Sequence, residues 1–227
     1  MNIALIVAAG SGTRMGNLDC PKQFLLVNNK PILYYTVNAF ETNPNIDKIL
    51  IVTNKAYIEQ VKNWSDQYQL TKVNYVVEGG STRQESVFNG LKTLKNAGIN
   101  ENDVILIHDC ARPLISQDII NNNIEACKKH DAVDTAIAAS DTIMKSLNGD
   151  KIDSIPNRKE LYQSQTPQTF KFGLIYKAHE NAMNNEATDD CMLVKMAGND
   201  IYLVNGSKLN FKITTQEDLE LFKSIIK

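Results

Sequence analysis

Small residues and cations follow the first apolar segment of this chain in a spacing that suits a phosphate. Residues 3–7 are continuously apolar and run into AAGSGTRMG, which is soon followed by PKQ. Gly10 and Gly12 carry no Cβ atom, so backbone N–H groups can approach an anion there. Arg14 and Lys22 place positive charge beside that turn. We therefore predict that this turn binds a phosphate chain.

The turn differs from two common nucleotide-binding motifs. A Walker loop requires GxxxxGK[ST], and a dinucleotide-binding loop requires GxGxxG, whose third glycine is absent here. A lone GxG after a strand also fits an ordinary tight turn. The two nearby cations favour the phosphate interpretation over that one.

A carboxylate ends the apolar strand predicted at residues 104–108. Asp109 follows it directly, and Arg112 lies in the same loop. Ligands of α/β sheets bind at the carboxyl ends of strands, and Mg²⁺ on a polyphosphate takes one or two protein carboxylates. Asp109 is therefore the candidate magnesium ligand, although aspartate also serves as a turn or cap residue. We expect His108 to be packed and hydrogen-bonded rather than catalytic.

Two further positions carry weaker signals. The sequence GGSTR, which ends at Arg83, offers backbone donors and a cation after another predicted strand. Lys212 lies between Phe211 and Ile213, so burying its ammonium would require an anion or a carboxylate partner. The alternative is a surface lysine on an edge strand, with only its alkyl stem packed. The residue pattern leaves both interpretations of Lys212 open.

The elements that must position these residues alternate between strand and helix. This alternation predicts an α/β fold with a doubly wound, mostly parallel sheet and helices on both faces. Strands are predicted at residues 3–7, 48–53, 74–77, 104–108, 134–139, 201–204 and 210–213. Helices are predicted at residues 32–40, 57–68, 81–94, 116–129, 174–183, 189–196 and 216–226.

The alternation is interrupted between residues 141 and 165. Two short candidate strands, 141–145 and 161–164, flank the hairpin signal Asn148-Gly149. A segment of this length without its own core needs a surface to lie on, either its own domain or another subunit. We predict a single domain, 1–227, with a protruding arm at about residues 141–165.

Composition narrows the classes of partner. The 227 residues carry a net charge of -2, and 43% are hydrophobic. Without a basic field, nucleic acid is not an expected partner. Four widely spaced cysteines suit reduced thiols rather than a zinc site or a disulfide scaffold. The first apolar run is too short for a membrane span, and no signal peptide is evident, so we expect a cytoplasmic protein without a membrane anchor.

Taken together, the motifs resemble those of the cytidylyltransferases that make CDP-linked polyols. They occur in the order typical of that family and extend along the whole chain. They are AAGSGTRMG, PKQFL, GGSTRQESVFNGL, HDCARP, DTIMK, QTPQTF, TDD and NFKITTQEDL. The resemblance implies a Rossmann-like nucleotidyltransferase fold, and a Mg²⁺-dependent reaction of CTP with a polyol phosphate that gives a CDP-polyol and pyrophosphate.

The resemblance also implies a role for particular residues. The residues expected to hold CTP through its cytidine and ribose are Ala8, Ala9, Gly10, Gly80, Ser81, Arg83 and Ser86. The catalytic cations would be Arg14, Lys22 and Lys212. The polyol phosphate would be bound by Asp109, Arg112, Thr142, Arg158 and Thr166, with Asp109 also holding Mg²⁺. Thr142 and Arg158 would reach across from the arm of the partner in a homodimer.

The acceptor is less sharply indicated than the reaction. GGSTRQESVFNGL, HDCARP and TDD are closer to family members that use 2-C-methyl-D-erythritol 4-phosphate, although Cys110 stands where those usually have alanine. AVDTAIAASDTI and IPNRKELYQSQTPQTF are closer to members that use D-ribitol 5-phosphate. We expect methylerythritol phosphate and keep ribitol 5-phosphate as the alternative.

Two other functional classes share parts of this pattern. A non-catalytic nucleotide sensor could use the same fold, but it would not need Arg14, Lys22, Asp109 and Lys212 together. A sugar-phosphate nucleotidyltransferase that uses UTP or GTP would share the first turn, but not QTPQTF and KITT. An assay of pyrophosphate release that compares CTP with UTP separates all three classes.

Overall fold

The computed structural model describes residues 1–10, 20–182 and 187–226. Within these ranges, one mixed sheet contains seven strands. They are β1 (Asn2–Ala8), β4 (Lys48–Thr53), β5 (Val73–Glu78), β6 (Val104–Asp109), β7 (Ala132–Ala138), β8 (Tyr162–Lys171) and β9 (Tyr202–Asn205). Two strands of two residues each, β2 (Leu26–Val27) and β3 (Lys30–Pro31), form a separate hairpin.

The strand order explains where a ligand site can form. The order is β5-β4-β1-β6-β8-β7-β9. Strands β5, β4, β1 and β6 run parallel to one another, and β9 runs parallel to β7. Strand β8 lies between β6 and β7 and is antiparallel to both. The carboxyl ends of β1 and β6 therefore meet at one edge of the sheet, where ligand sites of α/β folds form.

Helices cover both faces of the sheet. Their bounds are α1 (Ile32–Glu41), α2 (Ile58–Gln67), α3 (Arg83–Asn96), α4 (Gln117–His130), α5 (Phe172–Glu180), α6 (Asp190–Met196) and α7 (Gln216–Ile225). Alternate residues of β1 face opposite sides, as the period of a strand requires. Ile6 packs with residues of α1, α2 and α4, whereas Leu5 packs with residues of α3, α5 and α6. The predicted α/β class and mostly parallel sheet are confirmed.

Strand β8 was only partly predicted. Its first residues lie in a predicted strand, but residues 165–171 also belong to it and are half-buried or buried. Four of those buried residues are polar, namely Gln165, Thr166, Gln168 and Thr169. Proline is also uncommon inside a central strand, and Pro167 lies in this one. Sequence patterns treat such a segment as a loop because they cannot show the partners that make its burial possible.

Residues 141–161 precede β8, and we refer to this exposed segment as the arm. Strand β8 begins at Tyr162, within the predicted range of about 141–165. The predicted strand at 141–145 is also absent from the described structure, where a single bridge joins Lys145 to Ser154. The large apolar side chains exposed on the arm are Ile143, Met144, Leu147, Ile152 and Ile155.

One other prediction of secondary structure is wrong. Residues 210–213 form no strand and instead follow an irregular path before α7. Asn210 donates from Nδ2 to the carbonyl oxygen of Thr166, and the Ile213 N–H donates to Ala111, at 2.8 Å each. These bonds satisfy the segment without a neighbouring strand. No helix in the described ranges has the length and apolar character needed to cross a membrane.

Candidate active site

A cavity of about 560 Å³ opens at the carboxyl ends of β1 and β6. Its wall combines the loop after β1, the start of α3, the end of β6 and the segment before α7. Ten of the predicted site residues line it: Ala8, Ala9, Gly10, Lys22, Gly80, Ser81, Arg83, Ser86, Asp109 and Lys212. The fold thus brings together residues from the first turn, the GGSTR segment, the HDCARP loop and the last segment.

The chain after β1 is fixed by a side chain to which the sequence assigned no role. Gln23 is buried, and its Nε2 donates to the carbonyl oxygens of Ala8 at 2.5 Å and Gly10 at 2.9 Å. These bonds orient the peptide groups that enter the predicted phosphate-binding turn. Arg14 belongs to the same turn, but it lies outside the described residues.

The loop after β5 approaches this turn closely because of a glycine. A Cβ atom at Gly79 would lie 2.5 Å from the Cβ of Ala9, closer than two such atoms can approach. Glycine is therefore needed for the two loops to form adjacent walls of the cavity. The next residues lead into α3, where the Thr82 hydroxyl accepts a bond from the Glu85 N–H at 3.1 Å and caps the helix.

Two backbone groups that were predicted as nucleotide donors already have partners. The Gly80 N–H donates to Ser86 Oγ at 3.0 Å, and the Ser81 N–H donates to Glu85 Oε2 at 2.7 Å. Both N–H groups lie at the cavity wall. A nucleotide that used them would have to share or displace these acceptors.

Asp109 is held between two cations at the end of β6. Its Oδ1 accepts a bond from Arg83 Nε at 3.2 Å, and its Oδ2 accepts one from Lys212 Nζ at 2.7 Å. Burial by itself raises the pKa of this carboxyl group, but the positive charges of Arg83 and Lys212 more than offset it and hold the pKa well below the ordinary range. Asp109 therefore stays ionised at neutral pH.

Lys212 is therefore paired with a carboxylate, as the interpretation of a partly buried lysine required, and is not simply a surface lysine. A second lysine lies on the same side, since Lys22 Nζ donates to the carbonyl oxygen of Ile213 at 2.7 Å. Both lysines line the cavity. Their positive charges therefore border the space in which a phosphate chain would lie.

His108 is fully buried beneath this arrangement. Its Nδ1 lies 3.0 Å from Thr166 Oγ1, and its Nε2 lies 3.1 Å from the carbonyl oxygen of Arg112. Thr166 Oγ1 also accepts a bond from the Asp109 N–H at 3.1 Å. Burial lowers the pKa of His108 to about 4, so the imidazole is neutral at neutral pH. It links β6 to β8, which makes it a structural residue.

The predicted acceptor-binding residues fall into two groups. Arg112 and Thr166 lie near Asp109, and Arg112 Nη1 donates to the carbonyl oxygen of Asn210 at 2.8 Å. The buried Nε of Arg112 has no hydrogen-bond partner among the described residues. Thr142 and Arg158 lie on the exposed arm, where Arg158 Nη1 donates to the carbonyl oxygen of Ser140 at 3.0 Å. Neither arm residue lines the cavity of its own chain.

Metal binding would depend on few protein ligands. Across the described ranges, no three His, Cys, Asp or Glu side chains form a group suited to a metal ion. The carboxylate of Asp109 lines the cavity and is a hard oxygen ligand of the kind that Mg²⁺ prefers. One such ligand suits a metal that is bound mainly through substrate phosphates.

Two further residues at or next to the site were not predicted from the sequence. Asn54 follows β4 directly and lines the cavity. Its place as a polar residue at a strand end could have identified it as a candidate site residue. Asp190 lies outside the cavity, but its Oδ2 accepts a bond from Arg83 Nη1 at 2.7 Å. Only its place in the TDD motif marked it in the sequence.

Comparisons with known proteins agree with this geometry. A family model described as "IspD: 2-C-methyl-D-erythritol 4-phosphate cytidylyltransferase" matches residues 2–227. The chain is 44% identical to a 2-C-methyl-D-erythritol 4-phosphate cytidylyltransferase of Clostridium botulinum (strain Loch Maree / Type A3), over 99% of this chain and 97% of that protein. It is 41% identical to a ribitol-5-phosphate cytidylyltransferase of Vibrio parahaemolyticus, over 100% of this chain and 96% of that protein.

Solved structures of the same family have a similar fold. The crystal structure of 4-diphosphocytidyl-2C-methyl-D-erythritol synthase from Anaerococcus prevotii has a TM-score of 0.83 at 32% identity, covering 99% of this chain and 95% of that one. The Francisella tularensis 2-C-methyl-D-erythritol 4-phosphate cytidylyltransferase has a TM-score of 0.81 at 31% identity, covering 98% of both chains. The similarity thus extends over the whole sheet and its helices.

Proposed function

Because the chain belongs to the 2-C-methyl-D-erythritol 4-phosphate cytidylyltransferase family and is thus a CTP-dependent nucleotidyltransferase, we propose that its acceptor is 2-C-methyl-D-erythritol 4-phosphate. The products are then the CDP-linked methylerythritol and pyrophosphate. The observation that carries the acceptor is the family match over residues 2–227, together with the 44% identity to a 2-C-methyl-D-erythritol 4-phosphate cytidylyltransferase. The transfer reaction is supported by the ion cluster at the cavity wall, in which Asp109 lies 3.2 Å from Arg83 and 2.7 Å from Lys212. Such a cluster suits the transfer of a highly charged group.

The chemistry requires stabilisation of charge more than transfer of a proton. An oxygen of the acceptor phosphate attacks the α-phosphorus of CTP, and the bond from that phosphorus to the bridging oxygen breaks, releasing pyrophosphate. A phosphate monoester is largely ionised at neutral pH, with a second pKa of about 6. No base is therefore needed, and neither Asp109 nor the buried His108 is in a state to serve as a proton donor.

The cations have separate tasks in this proposal. Lys22 and Arg14 would bind the triphosphate, and Lys212 would stabilise the charge that develops at the α-phosphate. The cavity supports this division, because Lys22 and Lys212 enter it from different segments that meet at Ile213. Cytidine and its ribose would lie along the wall formed by Ala8, Ala9, Gly10, Gly80, Ser81, Arg83 and Ser86.

Mg²⁺ fits the proposed site through Asp109. A carboxylate offers about four acceptor positions, so its oxygens can contact a metal as well as Arg83 and Lys212. Oxygens of the triphosphate would complete the coordination. The ion would supply neutralisation of charge on the leaving pyrophosphate.

The acceptor phosphate would be bound next to the CTP site. Arg112 supports this because its buried Nε has no partner among the described residues, and Thr166 lies within 3.1 Å of the Asp109 N–H. Thr142 and Arg158 would complete the site from the arm of a second copy in a homodimer. The exposed apolar side chains of the arm support such an assembly. A cytoplasmic location stays a prediction from the cysteine pattern.

One assay tests the reaction and the acceptor together. Purified protein with CTP and Mg²⁺ is given either 2-C-methyl-D-erythritol 4-phosphate or D-ribitol 5-phosphate, and pyrophosphate release is followed. We expect the higher kcat/KM with the methylerythritol compound and little activity when UTP replaces CTP. A higher kcat/KM with ribitol 5-phosphate would favour the second candidate, which the 41% identity to a ribitol-5-phosphate cytidylyltransferase supports. No release with either acceptor would contradict the proposed reaction and favour a nucleotide sensor.

A further inference from the structure

A buried carboxylate contacts Arg83 on the side of the cavity wall that faces the protein interior. Asp190, the first residue of α6, is 1% exposed and does not line the cavity. Its Oδ2 lies 2.7 Å from Arg83 Nη1, whereas the contact of Arg83 Nε with Asp109 Oδ1 is longer, at 3.2 Å. We propose that Asp190 is a positioning residue, which anchors Arg83 so that the guanidinium shares Asp109 with Lys212.

Arg83 needs such an anchor because its position disfavours a cation. It is the first residue of α3, and the amino terminus of a helix carries a partial positive charge. Burial alone lowers the pKa of Arg83, but the charges of Asp190 and Asp109 more than offset this effect and raise the pKa above its ordinary value. The two carboxylates therefore compensate a cation that the helix and the interior would otherwise destabilise.

Asp190 is itself held in place from three directions. Its Oδ1 lies 2.9 Å from His179 Nε2, and its backbone N–H donates to Gln168 Oε1 at 3.0 Å. Its Oδ2 faces Arg83. The His179 ring stacks on Phe88 of α3 with an interplanar angle of 14°. These contacts leave the carboxylate little freedom, so it can fix the orientation of the guanidinium.

The geometry indicates what would follow if the anchor were lost. A guanidinium and a carboxylate favour two parallel hydrogen bonds. Without Asp190, Arg83 could take both oxygens of Asp109, including Oδ2, which now accepts the bond from Lys212. The change would disturb the CTP wall and the position of Lys212 together. Arg112 and Thr166, which are expected to bind the acceptor, form no hydrogen bond with Asp190 within the described ranges.

The inference rests on the proposed function, and a double-mutant cycle tests it. The variants are Asp190→Asn, Arg83→Gln and the combination of the two. Because a hydrogen bond to a charged group is lost, we expect each single variant to lower kcat/KM for CTP about tenfold or more. The KM of the acceptor phosphate, which Asp109 is also expected to bind, should rise less than the KM of CTP. If Asp190 acts through Arg83, the double variant should be no worse than Arg83→Gln.

Asp200→Asn is the control. It removes the same charge from an exposed carboxylate after α6, which pairs with Lys195 at 3.0 Å and forms no hydrogen bond with Arg83 or Gln168 within the described ranges. Its kcat/KM for CTP should stay within about twofold of that of the wild type. Calorimetric titration of CTP without acceptor should rank the variants in the same order, which gives a measurement independent of turnover.

Folding is controlled within the same cycle. Asp190→Asn leaves Arg83 with one buried carboxylate partner fewer, so this variant can be unstable. The double variant also removes the cation, and we expect it to recover thermal stability relative to Asp190→Asn. Comparison of the double variant with Arg83→Gln then shows whether Asp190 acts through Arg83, even if Asp190→Asn does not fold.

The outcomes separate the two proposals. Equal kcat/KM values for the double variant and Arg83→Gln support positioning through Arg83. A further loss in the double variant, or a rise in the KM of the acceptor equal to that for CTP, would overturn it and indicate a general structural role. A wild-type protein that releases no pyrophosphate from CTP would instead overturn the proposed function, and with it the role assigned to Asp190.

Discussion

Asp109 at the cavity is 8% exposed and contacts two cations of its own chain, whereas Leu147 on the arm is 79% exposed. The charge of Asp109 is thus compensated within one chain. The large apolar side chains of the arm have no comparable cover within the described residues. Substitutions at the cavity should therefore act within a subunit, while substitutions on the arm should act through association with a second copy.

The largest effect is expected from Lys212→Ala. Removal of a cation that stabilises charge in a transition state lowers kcat about 10²- to 10³-fold. The affinity for CTP should change far less, because the cation acts mainly on the transition state. Steady-state kinetics with a calorimetric Kd for CTP measure the two quantities separately, and Lys22→Ala should follow the same pattern.

Lys208→Ala provides the control for this prediction. Lys208 lies in the same segment, but it is exposed and does not line the cavity. Its removal should leave kcat unchanged. A Lys212→Ala variant with nearly normal turnover would show that the ion cluster is structural, and it would remove the main support for the proposed reaction.

A smaller loss is expected from Arg158→Ala on the arm. A hydrogen bond from a charged group to a phosphate contributes about 1.5–3 kcal/mol, so kcat/KM for the acceptor should fall about 10- to 100-fold. If the arm serves the site of a second copy, mixing this variant with Lys212→Ala should restore activity. Random mixing gives half mixed dimers with one intact site each, so about one quarter of wild-type activity should return.

The mixing experiment carries its own control. Arg158→Ala mixed with the double variant Arg158→Ala/Lys212→Ala has no intact site in any dimer and should regain nothing. If the first mixture also stays inactive after exchange of subunits is verified, the arm serves its own chain. The contrast between cavity and arm would then be wrong.

Self-association itself should weaken when the arm becomes charged. Leu147→Asp places a carboxylate where burial of a leucine side chain contributes about 1.5–3 kcal/mol, so the Kd of the dimer should rise at least about tenfold. Analytical ultracentrifugation over a range of concentrations measures this shift. Leu221→Asp on α7, another exposed leucine, is the comparison, and equal shifts in both variants would argue against a specific role of the arm.

The smallest effect on activity is expected from a change of pH at Asp134, a buried carboxylate on β7. Burial raises the pKa of Asp134 from 3.8 to about 6, against the lowering effect of hydrogen bonds from Ser164 and Gln168. The folded chain then holds the proton more tightly than the unfolded chain. The raised pKa of Asp134 therefore stabilises the folded chain by at most about 3 kcal/mol. This stabilisation is complete below about pH 4 and is lost as the pH rises through about 6.

Asp134→Asn should remove this loss and leave kcat unchanged. Urea unfolding between about pH 4.5 and 7.5 measures the free energy of unfolding, and its slope with pH should be flatter in the variant. Asp141→Asn on the exposed arm is the matched change and should leave the slope as it is in the wild type. An unaltered slope in Asp134→Asn would show that other groups dominate in this pH range.

Local patterns in the sequence predicted much of the fold. The continuous apolar runs of β1, β4 and β6 indicate strands covered on both faces, and α7 begins at its predicted first residue, where Thr215 caps it. Strand β8 was partly missed because its buried polar residues are satisfied only by distant partners. Thr169, for example, donates to Asn123 Oδ1 at 3.1 Å, across 46 positions of the sequence.

The site shows the same division between local and distant information. Lys22 and Asp109 stand beside strand ends or glycine turns, which the sequence displays directly. Asp190 meets Arg83 across 107 positions, and Gln23 acts only through the carbonyl groups it fixes. The choice between a paired and a surface Lys212 likewise depended on tertiary contact with Asp109.

The position of β8 between β6 and β7 also bears on the order in which the chain assembles during synthesis. Strands β1, β4, β5 and β6 are synthesised before β8, and their pairing uses only the edge of β6 that contacts β1. The other edge of β6 stays unpaired until residues 162–171 emerge, because β7 pairs with β8 and not with β6. The half-made sheet therefore presents an open backbone edge, the kind of surface on which nascent chains aggregate, and the arrival of β8 closes it.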